Sequence, residues 1–253
     1  MIFYSSKMTD ALVYTLAKNL REFFRKSGKI KAVVGISGGV DSAVTAAIGS
    51  LALGKENIFA LRMPHHHFSS SENLEDARKV CETLQLECQE IDIAPFCEQF
   101  FDLNFATKVM TRGNIMARVR MTLLYAAANE QDALVLGTGN KTEILTGFFT
   151  KHGDGAVDIE VIGECWKTEV FQMAKTLDLP EQVFTKPPTA ELFHGHTDEA
   201  ELGISYSELD AILQKMEGIT SFTPQSPQEE LVMNITKRTE HKRGGTPTLS
   251  RRV

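Results

Sequence analysis

Residues 31–42 have the sequence KAVVGISGGVDS, in which a short apolar run leads into a glycine-rich turn. The run Lys31–Ile36 has the length and apolar character of a buried parallel strand. Beyond the turn, residues Ala43–Leu53 have a helical pattern. The stretch therefore predicts a strand, a loop and a helix in direct succession.

The loop Ser37–Ser42 has the properties of an anion-binding turn. Its glycines permit backbone conformations closed to other residues and let phosphate oxygens approach the main chain. A helix that begins at about Asp41 directs its free N–H groups and its dipole at the anion, and both serines carry hydroxyl donors. Asp41 by itself repels phosphate, so its position indicates a Mg²⁺ ion that bridges the phosphates. The alternative is a plain strand–helix turn with a capping aspartate.

The loop differs from two common nucleotide-binding motifs. No Lys-Ser or Lys-Thr pair follows the glycines, which excludes a Walker A loop, and the dinucleotide pattern G-x-G-x-x-G is not present. A Ser-Gly-Gly-x-Asp-Ser string between a buried strand and a helix is much more specific than glycines alone. This context favours the phosphate-binding interpretation.

Composition is that of an ordinary globular protein. The chain has 253 residues, 42% hydrophobic and 24% charged, which predicts a single domain over residues 1–253. The net charge of -6 argues against a nucleic-acid partner. No apolar run approaches the ~20 residues of a membrane span. The four cysteines form no C-x-x-C pair, so we expect reduced thiols in a cytoplasmic protein.

Predicted strands alternate with predicted helices along the first part of the chain. The strands are residues 31–36, 57–62, 87–93 and 132–137, and the helices are residues 9–26, 43–53, 72–84, 113–130, 166–177, 206–216 and 227–241. This alternation predicts an α/β fold, a doubly wound parallel sheet with helices on both faces. Both glycine-rich segments, Ser37–Ser42 and Gly137–Asn140, follow strands, where such sheets bind ligands. The basic segment 242–253 contains glycines and a proline, and we predict a mobile tail.

The Ser37–Ser42 string resembles the signature of the ATP pyrophosphatase family, which includes NAD, GMP and asparagine synthetases and tRNA-modifying enzymes. The resemblance implies a Rossmann-like fold of the ATP pyrophosphatase type. It also implies adenylation chemistry: a substrate oxygen attacks the α-phosphate of ATP, pyrophosphate leaves, and a nucleophile then displaces AMP.

Three further segments resemble ammonia-dependent NAD synthetases, and this likeness spans almost the whole chain. The segments are Gly113–Met121; Gly137–Glu143 with its continuation Gly147–Asp158; and Lys186-Pro187-Pro188-Thr189-Ala190 followed by Thr197-Asp198-Glu199 and Glu201-Leu202-Gly203. GMP synthetases and tRNA thiolases do not carry these segments. The resemblance therefore implies deamido-NAD, ATP and ammonia as substrates.

Family positions that bind ATP and metal match specific residues of this chain. Asp41 and Glu143 match the magnesium ligands, and two carboxylates on different loops suit a metal held over a pyrophosphate. Glu143 alone would be interpreted as a solvated carboxylate at a helix start. The ATP-contacting positions match Gly35, Ile36, Ser37, Gly38, Gly39, Val40, Asp41, Ser42, Thr138, Lys167 and Thr189. A lysine there neutralises charge on the leaving pyrophosphate.

A second set of residues matches the positions that hold deamido-NAD, namely Arg118, Lys151, Asp158, His241 and Lys242. Arg118 and Arg120 are two residues apart on a helix, so they do not share a face, and the match selects Arg118. For His241 and Lys242 the alternative is a solvated helix end, where cations suit the dipole. Asp154 lies in a Gly-Asp-Gly turn. Our hypothesis is that it attracts ammonium and accepts its proton.

The implied reaction forms NAD, AMP and pyrophosphate without a side-chain nucleophile. Glutamine-dependent relatives carry an additional hydrolase domain, and the synthetase pattern here begins within the first ~40 residues, so we expect free ammonia, or ammonia from a separate partner, as nitrogen source. Relatives of this type are homodimers with substrate sites near the interface. The helix Gly113–Glu130 is the candidate interface element.

Three consecutive histidines, His65-His66-His67, suggest a metal site. Consecutive residues of a strand point to opposite sides, and no acidic or cysteine partner lies nearby at a ligand spacing. We favour a lid over the phosphate site that includes Ser69–Ser71.

Two alternative functions remain open from the sequence. The first is another adenylating ligase of the ATP pyrophosphatase family, such as a GMP-synthetase-like enzyme or a tRNA thiolase. A thiolase is expected to show paired cysteines and a basic surface, and this chain shows neither. The second is a nucleotide sensor without turnover, which has no reason to keep Asp41 and Glu143 together with a second-substrate set.

Overall fold

Five parallel strands form one sheet in the computed structural model, which describes residues 6–189, 197–219 and 221–251. The strand order is β3-β2-β1-β4-β5. The strands are β1 Lys31–Gly35, β2 Ile58–Arg62, β3 Glu87–Glu90, β4 Ala133–Gly137 and β5 Ile159–Glu160. Ala190, which closes one of the matched segments, and the last two residues of the predicted tail lie outside the described residues.

Eleven α-helices are assigned within the described ranges. Their bounds are α1 Ser6–Ser27, α2 Val40–Leu53, α3 Ser71–Leu84, α4 Ala94–Phe101, α5 Val109–Gln131, α6 Lys141–Thr146, α7 Lys167–Thr176, α8 Glu181–Thr185, α9 Asp198–Leu202, α10 Tyr206–Met216 and α11 Pro227–Arg243. A short 3₁₀ helix, Lys55–Asn57, precedes β2.

Strand β1 is central because it pairs with both β2 and β4. Val33 is aligned with Phe59 on one side and with Val135 on the other. Successive residues of β1 point to opposite faces of the sheet. Ala32 and Val34 belong to the core layer that contains α1, α2 and α7, while Val33 belongs to the layer with α4 and α5. The predicted doubly wound fold is therefore confirmed.

The order of the strands places a switch point between β1 and β4. The chain winds from β1 to β2 and β3 on one side, and then crosses to β4 and β5 on the other. At such a point the loops after the two neighbouring strands diverge and leave a crevice. The loops after β1 and β4 are residues 36–39 and 138–140, which overlap the two glycine-rich segments.

A third apolar cluster lies beside the sheet. Trp166, Tyr206, Leu209 and Val232 are among its buried members, and they join α10 and α11 to the start of α7. Through this cluster, α10 packs against α6 and α7. Elements far apart in the chain therefore support the loop after β4.

Several elements differ from the sequence prediction. Helices α4, α6, α8 and α9 and strand β5 are not predicted, and each has eight residues or fewer, too short for a clear periodicity. The predicted third strand, residues 87–93, ends at Glu90. Helix α11 reaches Arg243, whose guanidinium donates to the Leu145 carbonyl at 2.6 Å. The extended tail thus begins at Gly244, and its mobility stays a prediction.

Within the described residues, no helix is both long and apolar enough to cross a membrane.

Candidate functional site

A cavity of about 710 Å³ opens at the carboxyl ends of β1 and β4. Its volume is within the range of about 300–1,000 Å³ that is typical of small-molecule sites. Most residues that the sequence predicted as functional line it: Gly35, Ile36, Ser37, Gly39, Val40, Asp41, Ser42, Thr138, Glu143, Asp154, Lys167, Thr189, His241 and Lys242. Gly38, Arg118, Lys151 and Asp158 are not part of its lining.

The loop after β1 is held in shape by its own serines. The Ser42 hydroxyl donates to the Gly39 carbonyl at 3.0 Å and accepts the Ser37 backbone N–H at 3.2 Å. The Ser37 hydroxyl oxygen accepts the Gly39 N–H at 3.2 Å. Helix α2 begins at Val40, so its amino end faces the cavity with Asp41 in the first turn. This arrangement suits an anion, as predicted from the sequence.

Gly38 is the residue of this loop that packs against α3, and its contact with ATP stays a prediction. Its φ of +86° is a left-handed conformation that favours glycine. A Cβ at this position would collide with the backbone carbonyl of Asn73 in α3 and would lie 3.1 Å from the Ala77 nitrogen. Gly38 therefore lets the loop pack against α3, and it does not contribute surface to the cavity.

Asp41, Glu143 and Lys167 converge at the floor of the cavity. The ammonium Nζ of Lys167 lies 2.5 Å from Oδ2 of Asp41 and 3.0 Å from Oε1 of Glu143. The Lys167 side chain is only 2% exposed. The three residues come from the starts of α2, α6 and α7, so three helix amino ends point at the same place.

The charges of this trio shift the protonation of Glu143 and Lys167. Burial raises the pKa of Glu143 and the neighbouring Asp41 raises it further, while Lys167 opposes the rise. Burial acts to lower the pKa of Lys167, but Asp41 and Glu143 together raise it above its ordinary value. The lysine is therefore a fixed positive charge at neutral pH.

The trio also fits a magnesium ion. Both carboxylates approach one cation, the Lys167 ammonium, which shows that their oxygens face a common point. In the described part of the chain, no three His, Cys, Asp or Glu side chains are arranged to bind a metal. Mg²⁺ does not need such a cage, because it is usually held by one or two carboxylates together with substrate phosphates and water.

Asn140 is a site residue that the sequence reasoning did not select, although it lies in a quoted motif. It is fully buried, and its Nδ2 donates to Oδ1 of Asp41 at 2.8 Å. Its side-chain oxygen accepts the Glu143 N–H at 3.0 Å and forms a capping box with Glu143 at the start of α6. The Asn-x-x-Glu spacing is typical of a capping box, and it could have identified Asn140 from the sequence. Asn140 thus ties the two carboxylates together.

Asp154 lies on the wall of the cavity. Its Oδ1 accepts the Thr150 N–H at 2.9 Å, which fixes the carboxylate within the turn. The residue is exposed toward the cavity. Desolvation of its carboxylate by the surrounding protein raises the pKa of Asp154, against the effects of the Thr150 N–H and of the Lys242 charge.

Basic residues continue from the cavity to its rim. Lys242 donates to the carbonyls of Gly147 and Phe149, both at 2.8 Å, and so joins α11 to the loop after α6. Lys151 donates to the His241 carbonyl at 2.6 Å, and Arg118 donates to the Lys151 carbonyl at 3.2 Å. Contacts therefore lead from Arg118 through Lys151 to His241, which lines the cavity together with Lys242. All four residues match positions that hold deamido-NAD.

Asp158 is engaged elsewhere. Its Oδ2 accepts the Val135 N–H at 2.7 Å and its Oδ1 accepts the Tyr125 hydroxyl at 3.2 Å. Burial, together with the charge of Asp158, raises the pKa of Tyr125 to about 12. Asp158 links β4 to α5, and its role toward a ligand stays a prediction.

Two further residues near the site had no sequence motif to mark them. Arg62, at the end of β2, lines the cavity, and its buried Nε has no hydrogen-bond partner among the described residues. Glu160, on β5, accepts the Gly139 N–H at 2.9 Å and lies against Gly137. Burial raises the pKa of Glu160 to about 7, with a further contribution from Asp154.

The three histidines lie in the coil and turn after β2 and not in a strand. His65 is buried between the rings of Phe68 and Phe101, whereas His66 and His67 face the carboxylates of Asp92 and Glu98. The tertiary structure thus brings acidic side chains to His66 and His67, although none lies at a ligand spacing from these histidines in the sequence. Phe68 and Ser69 do line the cavity, as the predicted lid requires, but its motion stays a prediction.

Comparisons with known proteins identify the family of this chain. The family model described as NAD synthase matches residues 12–246. An NH(3)-dependent NAD(+) synthetase of Thermococcus kodakarensis is 43% identical over 242 residues, which covers 92% of this chain and 94% of the relative.

Two solved structures share the fold. An NMN synthetase from Francisella tularensis has a TM-score of 0.87 and 33% identity, and the match covers 98% of this chain and 99% of that one. An NH3-dependent NAD synthetase from Campylobacter jejuni, in complex with the nitrate ion, has a TM-score of 0.79 and 30% identity, with 96% and 99% covered. From its motifs, its fold and these similarities, the chain belongs to the NAD synthase family.

Proposed function

We propose that this protein is an ammonia-dependent NAD synthetase, which amidates deamido-NAD at the expense of ATP. The observation that carries the proposal is the convergence of Asp41, Glu143 and Lys167 beside the Ser37–Ser42 loop, within one cavity. This arrangement places the Lys167 ammonium next to the loop that would bind a triphosphate. The basic rim next to it supports a second, anionic substrate.

In the first step the nicotinate carboxylate attacks the α-phosphorus of ATP, and the bond from that phosphorus to the pyrophosphate oxygen breaks. The amino end of α2 and the Lys167 ammonium face the charge that develops on the leaving pyrophosphate. Asp41 and Glu143 would hold Mg²⁺, which supplies further neutralisation of the phosphate oxygens when bound. Thr138 and Thr189 line the cavity and are proposed to contact ATP.

In the second step ammonia attacks the acyl carbon of the adenylate, and the bond from that carbon to the AMP oxygen breaks. Ammonium must first lose a proton to become the attacking ammonia, and the ammonia nitrogen loses a second proton to water as the neutral amide forms. Asp154 lies on the cavity wall with a raised pKa, which suits a carboxylate that accepts the proton of ammonium. Positioning and electrostatics then account for most of the rate.

A second candidate substrate is nicotinate mononucleotide, because one similar structure is that of an NMN synthetase. The rim favours the dinucleotide. Arg118 and Lys151 extend the basic surface outward from His241 and Lys242, beyond the cavity itself. A dinucleotide has a second phosphate and an adenosine to place there, whereas a mononucleotide does not.

The test is to mix the purified protein with ATP, Mg²⁺ and ammonium and to supply one acceptor at a time. We expect pyrophosphate, AMP and NAD with deamido-NAD, and a kcat/KM at least tenfold lower with nicotinate mononucleotide. A higher kcat/KM with the mononucleotide would make this an NMN synthetase. Pyrophosphate release only with xanthosine monophosphate would reject both substrates.

We also propose a homodimer. Large apolar side chains are exposed along α4 and the start of α5, and this surface consists of Phe96, Phe100, Leu103, Phe105, Val109 and Met110. Exposed large apolar side chains grouped along one stretch of chain are typical of association sites. We expect a dimer in light scattering, and a monomer for Phe105→Asp, in which the most exposed of these rings is replaced by a charge. A wild-type monomer at all concentrations would contradict this.

The four cysteines are free thiols in the described structure. We propose that the protein works in the reducing environment of the cytoplasm, since its four cysteines form no C-x-x-C pair.

A further inference from the structure

Asp210 is a buried carboxylate that the proposed reaction does not use. It lies on α10, is 1% exposed, and is not part of the cavity lining. Its Oδ1 accepts the hydroxyl of Thr142, and its Oδ2 accepts the backbone N–H of Thr168 at 2.9 Å. Each oxygen therefore holds the start of a different helix.

The two threonines are the chain neighbours of two members of the charged trio. Thr142 precedes Glu143 on α6, and Thr168 follows Lys167 on α7. The Thr142 oxygen also accepts the Lys167 backbone N–H at 3.0 Å. These three hydrogen bonds connect the starts of α6 and α7 through one carboxylate on a third helix.

A carboxylate is a costly residue at this position unless its bonds are made. Burial raises the pKa of Asp210, and the donors from Thr142 and Thr168 oppose that rise. Apolar residues often replace buried polar groups without loss of stability, provided that they fill the same volume. Hydrogen bonds differ from apolar packing because they fix direction and distance. The network therefore fixes the position of the start of α6 relative to the start of α7.

The geometry matters because Lys167 contacts two acceptors at once. Its Nζ reaches Asp41 at 2.5 Å and Glu143 at 3.0 Å, and its backbone is one end of the Asp210 network. A misplacement of about 1 Å in a reacting constellation can cost about 100-fold in rate. A change in the spacing of α6 and α7 alters the separation of Glu143 and Lys167 directly.

We propose that Asp210 is a positioning residue that sets the spacing of Glu143 and Lys167, and thereby the binding and cleavage of Mg²⁺–ATP. The inference rests on the proposed function in assigning ATP to this trio. The proposal predicts that a change in the network weakens the binding of Mg²⁺–ATP and leaves the binding of deamido-NAD nearly unchanged. The reason is that the basic rim around Arg118 and Lys151 has no hydrogen bond to this network among the described contacts.

The test uses Thr142→Val, Thr142→Ser and Asp210→Asn. Valine removes the hydroxyl at constant volume, and serine keeps it. We expect Thr142→Val and Asp210→Asn each to weaken Mg²⁺–ATP binding in calorimetry about tenfold and to lower kcat, with the KM for deamido-NAD within twofold of wild type. Thr142→Ser is expected to restore most of the affinity. The double variant should lose no more than the worse single variant, because both act through one network.

Two outcomes would overturn the inference: wild-type Mg²⁺–ATP affinity in both Thr142→Val and Asp210→Asn, or equal losses for both substrates in proportion to a lowered Tm. If Asp210→Asn does not fold, Thr142→Val carries the comparison with Thr142→Ser. Failure of the proposed function has a different signature, since the wild-type protein would then form no NAD while its Mg²⁺–ATP affinity still responded to these substitutions.

Discussion

The ammonium Nζ of Lys167 lies 2.5 Å from Oδ2 of Asp41, although the two residues are 126 positions apart in the chain. This ion pair joins the loop after β1 to the start of α7. In the ligand-free structure the lysine neutralises the carboxylates that are proposed to hold Mg²⁺. Binding of Mg²⁺–ATP therefore requires the lysine to exchange carboxylate contacts for phosphate contacts.

Lys167→Met tests both roles of this lysine. Its loss leaves Asp41 and Glu143 facing each other without a cation, which we expect to cost about 3 kcal/mol of stability in the absence of metal. Added Mg²⁺ should recover part of the lost Tm. We expect kcat for NAD formation to fall about 100-fold or more. Lys175→Met is the control, because Lys175 is exposed at the other end of α7. Equal Tm values for the two variants without Mg²⁺ would contradict the pairing.

Gly38→Ala tests the packing of the phosphate loop against α3. Alanine at a left-handed φ costs about 1–2 kcal/mol, and its Cβ would also collide with the Asn73 carbonyl. We expect a loss of at least about 2 kcal/mol in urea unfolding. Gly39→Ala is the matched control, since Gly39 has a φ of −86° and its Cβ would meet only the Ser37 hydroxyl, at 3.3 Å. Equal stability of the two variants would show that Gly38 is not constrained by α3.

Glu160→Gln tests the raised pKa of this buried carboxyl. Burial raises the pKa of Glu160 from 4.5 to about 7, so the folded protein binds a proton between these pH values that the unfolded chain releases. Stability contributed by this group is complete below about pH 4.5 and is lost as pH rises toward 7, by about 3 kcal/mol in total. Glutamine keeps an oxygen acceptor for the Gly139 N–H and does not ionise.

We therefore expect Glu160→Gln to have a higher Tm than wild type at pH 8, and the difference to shrink toward pH 5. The measurement is thermal unfolding of both proteins across this range. A Tm difference that does not change with pH would mean that Glu160 titrates alike in the folded and unfolded chains.

Asp154→Asn tests the proton acceptor of the second step. A raised pKa means that this carboxylate loses its charge at a higher pH than an ordinary aspartate, so the wild-type rate falls as pH is lowered through that value. Near neutral pH the variant should be about 100-fold slower with ammonium as the nitrogen source. The deficit should shrink as pH rises, because free ammonia becomes more abundant.

The measurement is the NAD-forming rate against pH at a fixed total ammonium concentration. Asp178→Asn serves as control, because Asp178 is an exposed turn aspartate that does not line the cavity. An unchanged ammonia-dependent rate for Asp154→Asn across the pH range would reject this role.

Local sequence determined much of the architecture. The run Lys31–Ile36, the glycines and the helix that follows are recognisable because strand burial, turn conformation and helix periodicity each act over a few residues. The same holds for β2, β4, α3, α5 and α11. Family motifs added the residues Asp41, Glu143, Lys167 and Asp154, and the structure places all four at one cavity.

Short elements and pairwise contacts were decided only by the tertiary structure. Strand β5 has two residues and exists because it pairs with β4. The contact of Asn140 with Asp41 and the bonds of Asp210 to Thr142 and Thr168 cross long stretches of chain. No local pattern encodes such distances, since they depend on how the helices pack around the sheet. The sequence by itself thus determined which chemical groups the protein carries and on which strand ends they lie. The packing of α6, α7 and α10 decided how those groups meet, because hydrogen bonds and ion pairs form only at fixed separations in three dimensions.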